Sequence, residues 1–333
     1  MRMATKLRAP LAFAIVALTA GLAQGQGVDP NAALNPYRED PGWAKTPMGR
    51  PFGAAIGIEI DRDGRGIWVF DRCGGATCEN SRIAPLMKFD ATGTLLGAYA
   101  GGLFNDPHGL FIDRDNNIWL TDRIGKGGKG NTALKLSPDG KVLMTLGRPG
   151  VAGNGHDTFN APSDVLVAPG GDIFVADGHG AGTNARIVKF ANDGRFIKAW
   201  GKEGKGPGEF DQPHGLAMDS QGRLFVADRA NSRIQIFDQD GSFIAEWRQF
   251  GRPSGIFIDA GDMLYVADSQ SSDKNNPGFR QGIRIGSAKD GKVSAFIEEI
   301  VDKDALEGVA ADAAGNVYAG YTNKMNFRRF VKK

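Results

Sequence analysis

Cysteine is almost missing from this chain: Cys73 and Cys78 are the only two in 333 residues. Too few thiolates exist for a four-cysteine zinc module, and their spacing is not the two-residue gap of a zinc knuckle. They sit in the glycine-rich run Asp71-Arg72-Cys73-Gly74-Gly75-Ala76-Thr77-Cys78, so in an oxidising compartment they are expected to close a small disulfide rather than stay free. Charge of one sign is also lacking. Forty Lys and Arg face 38 Asp and Glu, a net charge of +2, which excludes the strongly basic surface of a nucleic-acid binder. Long apolar runs are missing, and so is helical periodicity of useful length. Leu11–Leu22 is too short for a comfortable membrane span. It follows a basic segment with Arg2, Lys6 and Arg8 and precedes Ala23-Gln24-Gly25, which offers small residues at the positions a signal peptidase reads. Residues 1–25 are therefore read as a signal peptide and 26–50 as an extended arm. The exported product is nearly neutral and soluble, periplasmic or secreted, with no membrane attachment after cleavage.

Glycine is abundant, at 48 residues about twice its usual share. With only 16 Pro and no collagen period, it signals many tight turns. The turns punctuate an internal repeat. Pro107-His108-Gly109-Leu110 with Ile118-Trp119-Leu120-Thr121-Asp122-Arg123 returns as Pro162-Ser163-Asp164-Val165 with Ile173-Phe174-Val175-Ala176-Asp177. It returns again as Pro213-His214-Gly215-Leu216 with Leu224-Phe225-Val226-Ala227-Asp228-Arg229, and as Pro253-Ser254-Gly255-Ile256 with Leu264-Tyr265-Val266-Ala267-Asp268. Weaker copies start at Ala55 and Leu306, making six at intervals of roughly 40 to 55 residues. Each copy holds β-branched and aromatic runs separated by turn signals such as Asp139-Gly140 and Asp240-Gly241. Four strands per unit and six units predict an all-β, six-bladed β-propeller over residues 51–333. In that fold the first strand of each blade lines a central channel. The residue after each leading Pro then faces the axis: Ala54 or Ala55, His108, Ser163, His214, Ser254 and Glu307. A hydrophobic core does not need that polar set, so a ligand site is expected at this mouth.

These phrases resemble NHL-type repeats. The stretch from about Asp106 to Trp247 further resembles the catalytic propeller of the peptidyl-α-hydroxyglycine α-amidating lyases, through the two Pro-His-Gly-Leu motifs, Ala161-Pro162-Ser163-Asp164-Val165, Ala176-Asp177-Gly178 and Val226-Ala227-Asp228-Arg229. The resemblance implies a channel zinc ligated by His108 and His214. The family's third histidine falls at Glu307, and a two-His, one-Glu set with an open position suits zinc, and equally iron or manganese. The family's catalytic Tyr falls at His179, expected as a general base or a further ligand. Arg72 and Arg229 match positions that hold substrate, and Arg123 stands at the same place in the second blade. The bland alternative for these arginines is pairing with the adjacent Asp71, Asp122 and Asp228. The family's calcium-binding Asp is Gly308 here, so calcium is not expected.

By this resemblance the protein is expected to be a metal-dependent lyase of small carboxylate-bearing, peptide-derived substrates, splitting peptidyl-α-hydroxyglycine into an amide and glyoxylate; a monomer is expected. The alternatives are a non-catalytic ligand- or protein-binding propeller and a lactonase-type hydrolase. His156, in Gly153-Asn154-Gly155-His156-Asp157, reads as a plain loop residue. Gly125-Lys126-Gly127-Gly128-Lys129-Gly130 lacks the setting of a phosphate loop.

Overall fold

A computed structural model describes residues 29–46, 50–299 and 305–333; the expected signal peptide lies outside them. The described residues form 24 strands and no helix, numbered β1 (Tyr37–Glu39) to β24 (Asn326–Lys332) in chain order. They build six four-stranded antiparallel sheets, the blades of the expected propeller. The inner strands are β2 (Ala55–Ile60), β6 (Pro107–Ile112), β10 (Pro162–Val167), β14 (Pro213–Met218), β18 (Pro253–Ile258) and β22 (Leu306–Ala311). Each packs beside the next, and β22 packs against β2 to close the ring.

The repeat dictates this layering. The second strand of a blade, such as Ile67–Asp71 or Leu224–Asp228, is buried along its whole length and is apolar until its final Asp. The fourth strand alternates half-buried with exposed positions, as Leu95–Tyr99 and Phe196–Trp200 do. Apolar clusters bridge neighbouring blades: Leu166, Phe174 and Ile187 of the third pack with Phe210, Leu216, Val226 and Phe237 of the fourth. No blade can bury both faces alone, so stability comes from the closed ring. Close approach of the inner strands explains the recurring glycine. A Cβ on Gly109 would lie 2.6 Å from the Asp164 Cα, and one on Gly308 would lie 2.4 Å from the Ile56 carbonyl oxygen.

The sixth blade takes its outer strand from the arm, so residues expected outside the ring belong to it. β1 pairs with β24, Tyr37 opposite Lys332. Tyr37 is buried beside Ile283, Leu306 and Tyr321. Trp43 packs on Phe89 of the first blade and on Tyr318 and Phe327 of the sixth, with ring centroids 5.1–6.0 Å apart. Its indole N–H donates to the Ala91 carbonyl at 3.1 Å. Asn31 accepts from the fully buried Arg284 of the fifth blade at 2.8 Å. The arm thus laces blades five, six and one together. Cys73 and Cys78 are bonded in the loop after the second strand of blade one.

Trp43→Ala should remove about 3–5 kcal/mol through the cavity it leaves between the first and last blades. That corresponds to a melting temperature lower by roughly 10 °C in scanning calorimetry. A shift under about 2 °C would show that closure does not depend on the arm.

Candidate metal centre at one channel mouth

The site begins as a backbone irregularity. Pro107 pairs with Asp122 and Pro213 with Asp228, but the register slips before Leu110 and Leu216; Leu306 to Val309 does the same. A bulge re-aims the side chains it contains, here His108, His214 and Glu307. The Asp at each blade tip holds the entering turn: Asp122 accepts the N–H groups of Asn105 and Asp106 at 2.9 and 2.7 Å, and Asp228 that of Asp211 at 2.7 Å. Six such positions, Ile56, His108, Ser163, His214, Ser254 and Glu307, line a narrow neck of about 50 Å³. Blade one therefore contributes Ile56, not Ala54 or Ala55. Ala55 pairs with Asp71 and Gly57 with Phe70, which leaves Ile56 in the bulge.

The polar members converge. His108, His179, His214 and Glu307 each offer a ligand atom, all within 4.8 Å of one another. That is slightly wider than the roughly 4.2 Å spanned by two opposed zinc–nitrogen bonds. The next blade's backbone orients each of the two Pro-His-Gly-Leu imidazoles. His108 Nδ1 donates to the Ser163 carbonyl at 2.7 Å and His214 Nδ1 to the Ser254 carbonyl at 3.2 Å, which leaves both Nε2 lone pairs facing the axis. His108 Nε2 is buried without a hydrogen-bond partner, 3.6 Å from Glu307 Oε1, and His214 Nε2 lies 3.0 Å from the same oxygen. His179 follows Gly178, where a Cβ would collide with the Asn184 carbonyl. That glycine lets the chain turn off its strand and bring His179 to 4.7 Å, centroid to centroid, from both other imidazoles.

Burial, then the neighbouring histidines and arginines, holds His108 and His179 well below the ordinary imidazole range. Burial and Arg229 lower His214. Burial alone would raise the Glu307 carboxyl, but His214, Arg229 and Arg72 bring it down to about 2. Neutral imidazoles thus aim lone pairs at an ionised carboxylate. The Arg229 guanidinium lies among these donors, 2.8 Å from His214 Nε2 and 3.7 Å from Glu307 Oε1, and the donor types themselves fit a divalent metal.

Arginines crown the cluster. Arg72, Arg123 and Arg229 share one backbone anchor, their N–H groups donating to the carbonyls of Ala54, Asp106 and Gln212 at 3.0–3.2 Å. Their side chains do not pair with the adjacent aspartates. Asp71 binds Arg50 and Asp228 binds Arg233. Arg72 and Arg123 instead share the buried Asp106, through Nε contacts of 2.8 and 2.6 Å. Arg123 Nη1 also donates to His179 Nδ1 at 2.9 Å. Arg229 Nη1 lies 2.8 Å from His214 Nε2, and its Nη2 lies 3.3 Å from His179 Nε2 and 2.8 Å from Gln212 Oε1. Asp106 and Gln212 were not singled out as site residues, although both occupy the position just before Pro-His-Gly. His156 stacks on Phe196 at 4.1 Å and takes no part in the cluster.

Two more carboxyls line the neck. Asp164 accepts the N–H of Leu216 at 2.8 Å, and burial pushes it up to about 7. Burial pushes Glu59 up to about 8, with Arg62 opposing the rise and Asp164 adding to it.

The NHL repeat model matches residues 210–237, most of the fourth blade. NHL repeat-containing protein 3 of Homo sapiens is 33% identical over 241 residues, 69% of this chain and 66% of that protein. The chain is an NHL-repeat β-propeller. This propeller is also similar to peptidyl-glycine alpha-amidating monooxygenase A of Xenopus laevis, 32% identical over 92% of the chain and 31% of the relative. Peptidyl-alpha-hydroxyglycine alpha-amidating lyase 1 of Drosophila melanogaster is 29% identical over 73% of the chain and 48% of the relative. The propeller thus spans 66% of the first relative and under half of the other two. Among solved structures, a gluconolactonase from Xanthomonas campestris aligns with a TM-score of 0.59 at 17% identity, covering 85% of this chain and 88% of that one. A virginiamycin B lyase from Staphylococcus aureus aligns at 0.55 and 17%, covering 88% and 84%. At such identity these two likenesses concern the fold alone.

The neck carboxyls set a pH dependence. In the folded chain Glu59 and Asp164 hold protons that the unfolded chain releases near pH 4. Their contribution to stability is full below that pH and is lost as pH climbs through about 7 and 8. The melting temperature should therefore fall between roughly pH 5 and 8.5, and Glu59→Gln should flatten part of that decline. An identical slope in the variant would count against the assignment.

Proposed function

We propose that this exported propeller is a monomeric, metal-dependent lyase for small, carboxylate-bearing, peptide-derived substrates, with peptidyl-α-hydroxyglycine as the type. The observation that carries the reading is the four-residue cluster, whose ligand atoms lie within 4.8 Å of one another. The sequence relatives that include amidating lyases give it direction. His108, His214 and Glu307 would hold the ion, zinc by preference and iron or manganese by the same donors. A bound divalent ion would supply Lewis-acid polarisation of the substrate hydroxyl. His179, kept neutral by burial and by its neighbours, would serve as proton acceptor at Nδ1, giving up there the hydrogen bond from Arg123. The hydroxyl gives up its proton, a carbonyl forms at that carbon, the carbon–nitrogen bond breaks and the nitrogen regains a proton, yielding amide and glyoxylate. Arg72 and Arg229 bind the carboxylate, since a planar guanidinium matches it bidentately. The disulfide supports export, and among the described residues no helix is long and apolar enough to cross a membrane.

One observation favours a second reading. Arg229 donates to His214 Nε2, so a guanidinium already satisfies part of the donor set. In a non-catalytic binding propeller it would stand permanently in place of an ion. A lactonase-type hydrolase has only the shared fold behind it.

Elemental analysis of protein purified without chelator should find about one divalent ion per chain. The double change His108→Ala, His214→Ala should reduce this at least tenfold and leave the ring folded by circular dichroism, with glyoxylate release from a peptide ending in α-hydroxyglycine lost in parallel. Metal-free wild-type protein would overturn the lyase reading in favour of the binding propeller.

A further inference from the structure

The channel has a second mouth. Below the neck it widens into a cavity of about 1250 Å³ on the face opposite the histidines. Glu59, Phe111, Leu216 and Ile256 line both spaces, so Glu59 stands at the waist between them.

The repeat provides an internal control for that position. Glu59 pairs with Trp68 in the first blade. The equivalent residues opposite Trp119, Phe174, Phe225, Tyr265 and Tyr318 are Phe111, Leu166, Ala217, Phe257 and Ala310. Five blades are apolar at this level and one carries a carboxyl, protonated up to about pH 8 in the free protein and ionised when a cation lies against it. The hydrogen bond that Glu59 accepts comes from its own neighbour, Ile60 N–H, at 3.3 Å. Arg62, whose charge acts on Glu59, makes its direct contacts elsewhere: its Nε donates to the Asp113 carbonyl at 3.0 Å and its guanidinium lies over the Phe111 ring. Met218, Phe257 and Ile258 extend the wall as half-buried apolar side chains, although strand ends facing only water need no apolar surface. Across the lining, eight Asp and Glu side chains face four Lys and Arg, and Lys88, Arg223 and Lys289 pair from outside it with Asp61, Asp219 and Asp262.

We propose that this wide mouth is a second binding site, separate from the histidine cluster, that takes an amphiphilic organic cation with its ammonium group on Glu59 and its apolar body along Phe111, Met218 and Phe257. Glu59, the one acid at a level that is otherwise apolar, selects a cation and fixes where its head lies. The apolar and aromatic lining favours an ammonium with an apolar body over a hydrated metal ion, because it offers such a body surface without giving a metal ligand oxygens. At the other mouth Arg72, Arg123 and Arg229 would repel the same molecule.

The test uses two probes with one apolar body and opposite heads, 4-phenylbutylammonium and 4-phenylbutyrate, titrated calorimetrically into the purified protein. The ammonium should bind. Glu59→Gln, which keeps the side-chain shape, should weaken it about tenfold or more, and Phe257→Ala should weaken it as well. Arg72→Ala should leave ammonium binding unchanged, and circular dichroism should report a folded ring in every variant. Equal affinity for the two probes, undiminished binding to folded Glu59→Gln protein, or no ammonium binding at millimolar concentration would each overturn the proposal.

Discussion

The channel mouth depends on how closely six inner strands approach one another around one axis. Each strand starts in a bulge that turns a single side chain inward, and the glycine after it in five of the six blades lets the next blade's backbone come within contact distance. The third blade breaks the rule with Asp164, whose side chain reaches across to the Leu216 N–H and ties two inner strands together. The same proximity supplies the carbonyls of Ser163 and Ser254 that orient His108 and His214. Packing and ligand geometry are therefore one constraint, and a methyl group on Gly109 would disturb both.

Concentrating so many ionisable groups requires that their charges be matched locally. Asp106 is the counter-charge for Arg72 and Arg123 together, while Glu307 faces Arg229 and the histidines. Removing one partner of a buried pair typically costs about 3–5 kcal/mol, because the other charge stays behind without solvent. The mouth is thus poised: two carboxylates and three guanidiniums leave an excess of positive charge toward solvent, while the neutral imidazoles beneath turn lone pairs inward. An anion is favoured above and a cation below, within a few ångströms.

Much of this was legible in the sequence because strand repeats write their own alignment. Pro-His-Gly-Leu appears twice at corresponding places, and any closed ring brings those places to one axis. Legibility failed where the repeat degrades or where contacts cross between blades. Ile56 could not be told from Ala54 and Ala55, because the first copy lacks the leading proline and only backbone pairing shows which residue occupies the bulge. Asp106 binds Arg72, 34 positions away in the preceding blade, and no local pattern announces such a contact. The arm carries no repeat signature at all, yet its short strand completes the last sheet.

The two mouths of the channel show how one repeat yields two chemistries. At the bulged end the backbone leaves its ladder, side chains converge, and alternate blades can differ freely because no sheet packing rests on them. At the far end the ladder is regular and each inner-strand residue pairs with an aromatic one, so the repeat holds that level apolar in five blades. A polar residue costs little at the first end and stands against sheet packing at the second. Glu307 follows the pattern of its level, and Glu59 breaks the pattern of its own. A half-buried acid that breaks an otherwise apolar level, with only the charge of Arg62 near it, is a place where a partner from outside the fold can act.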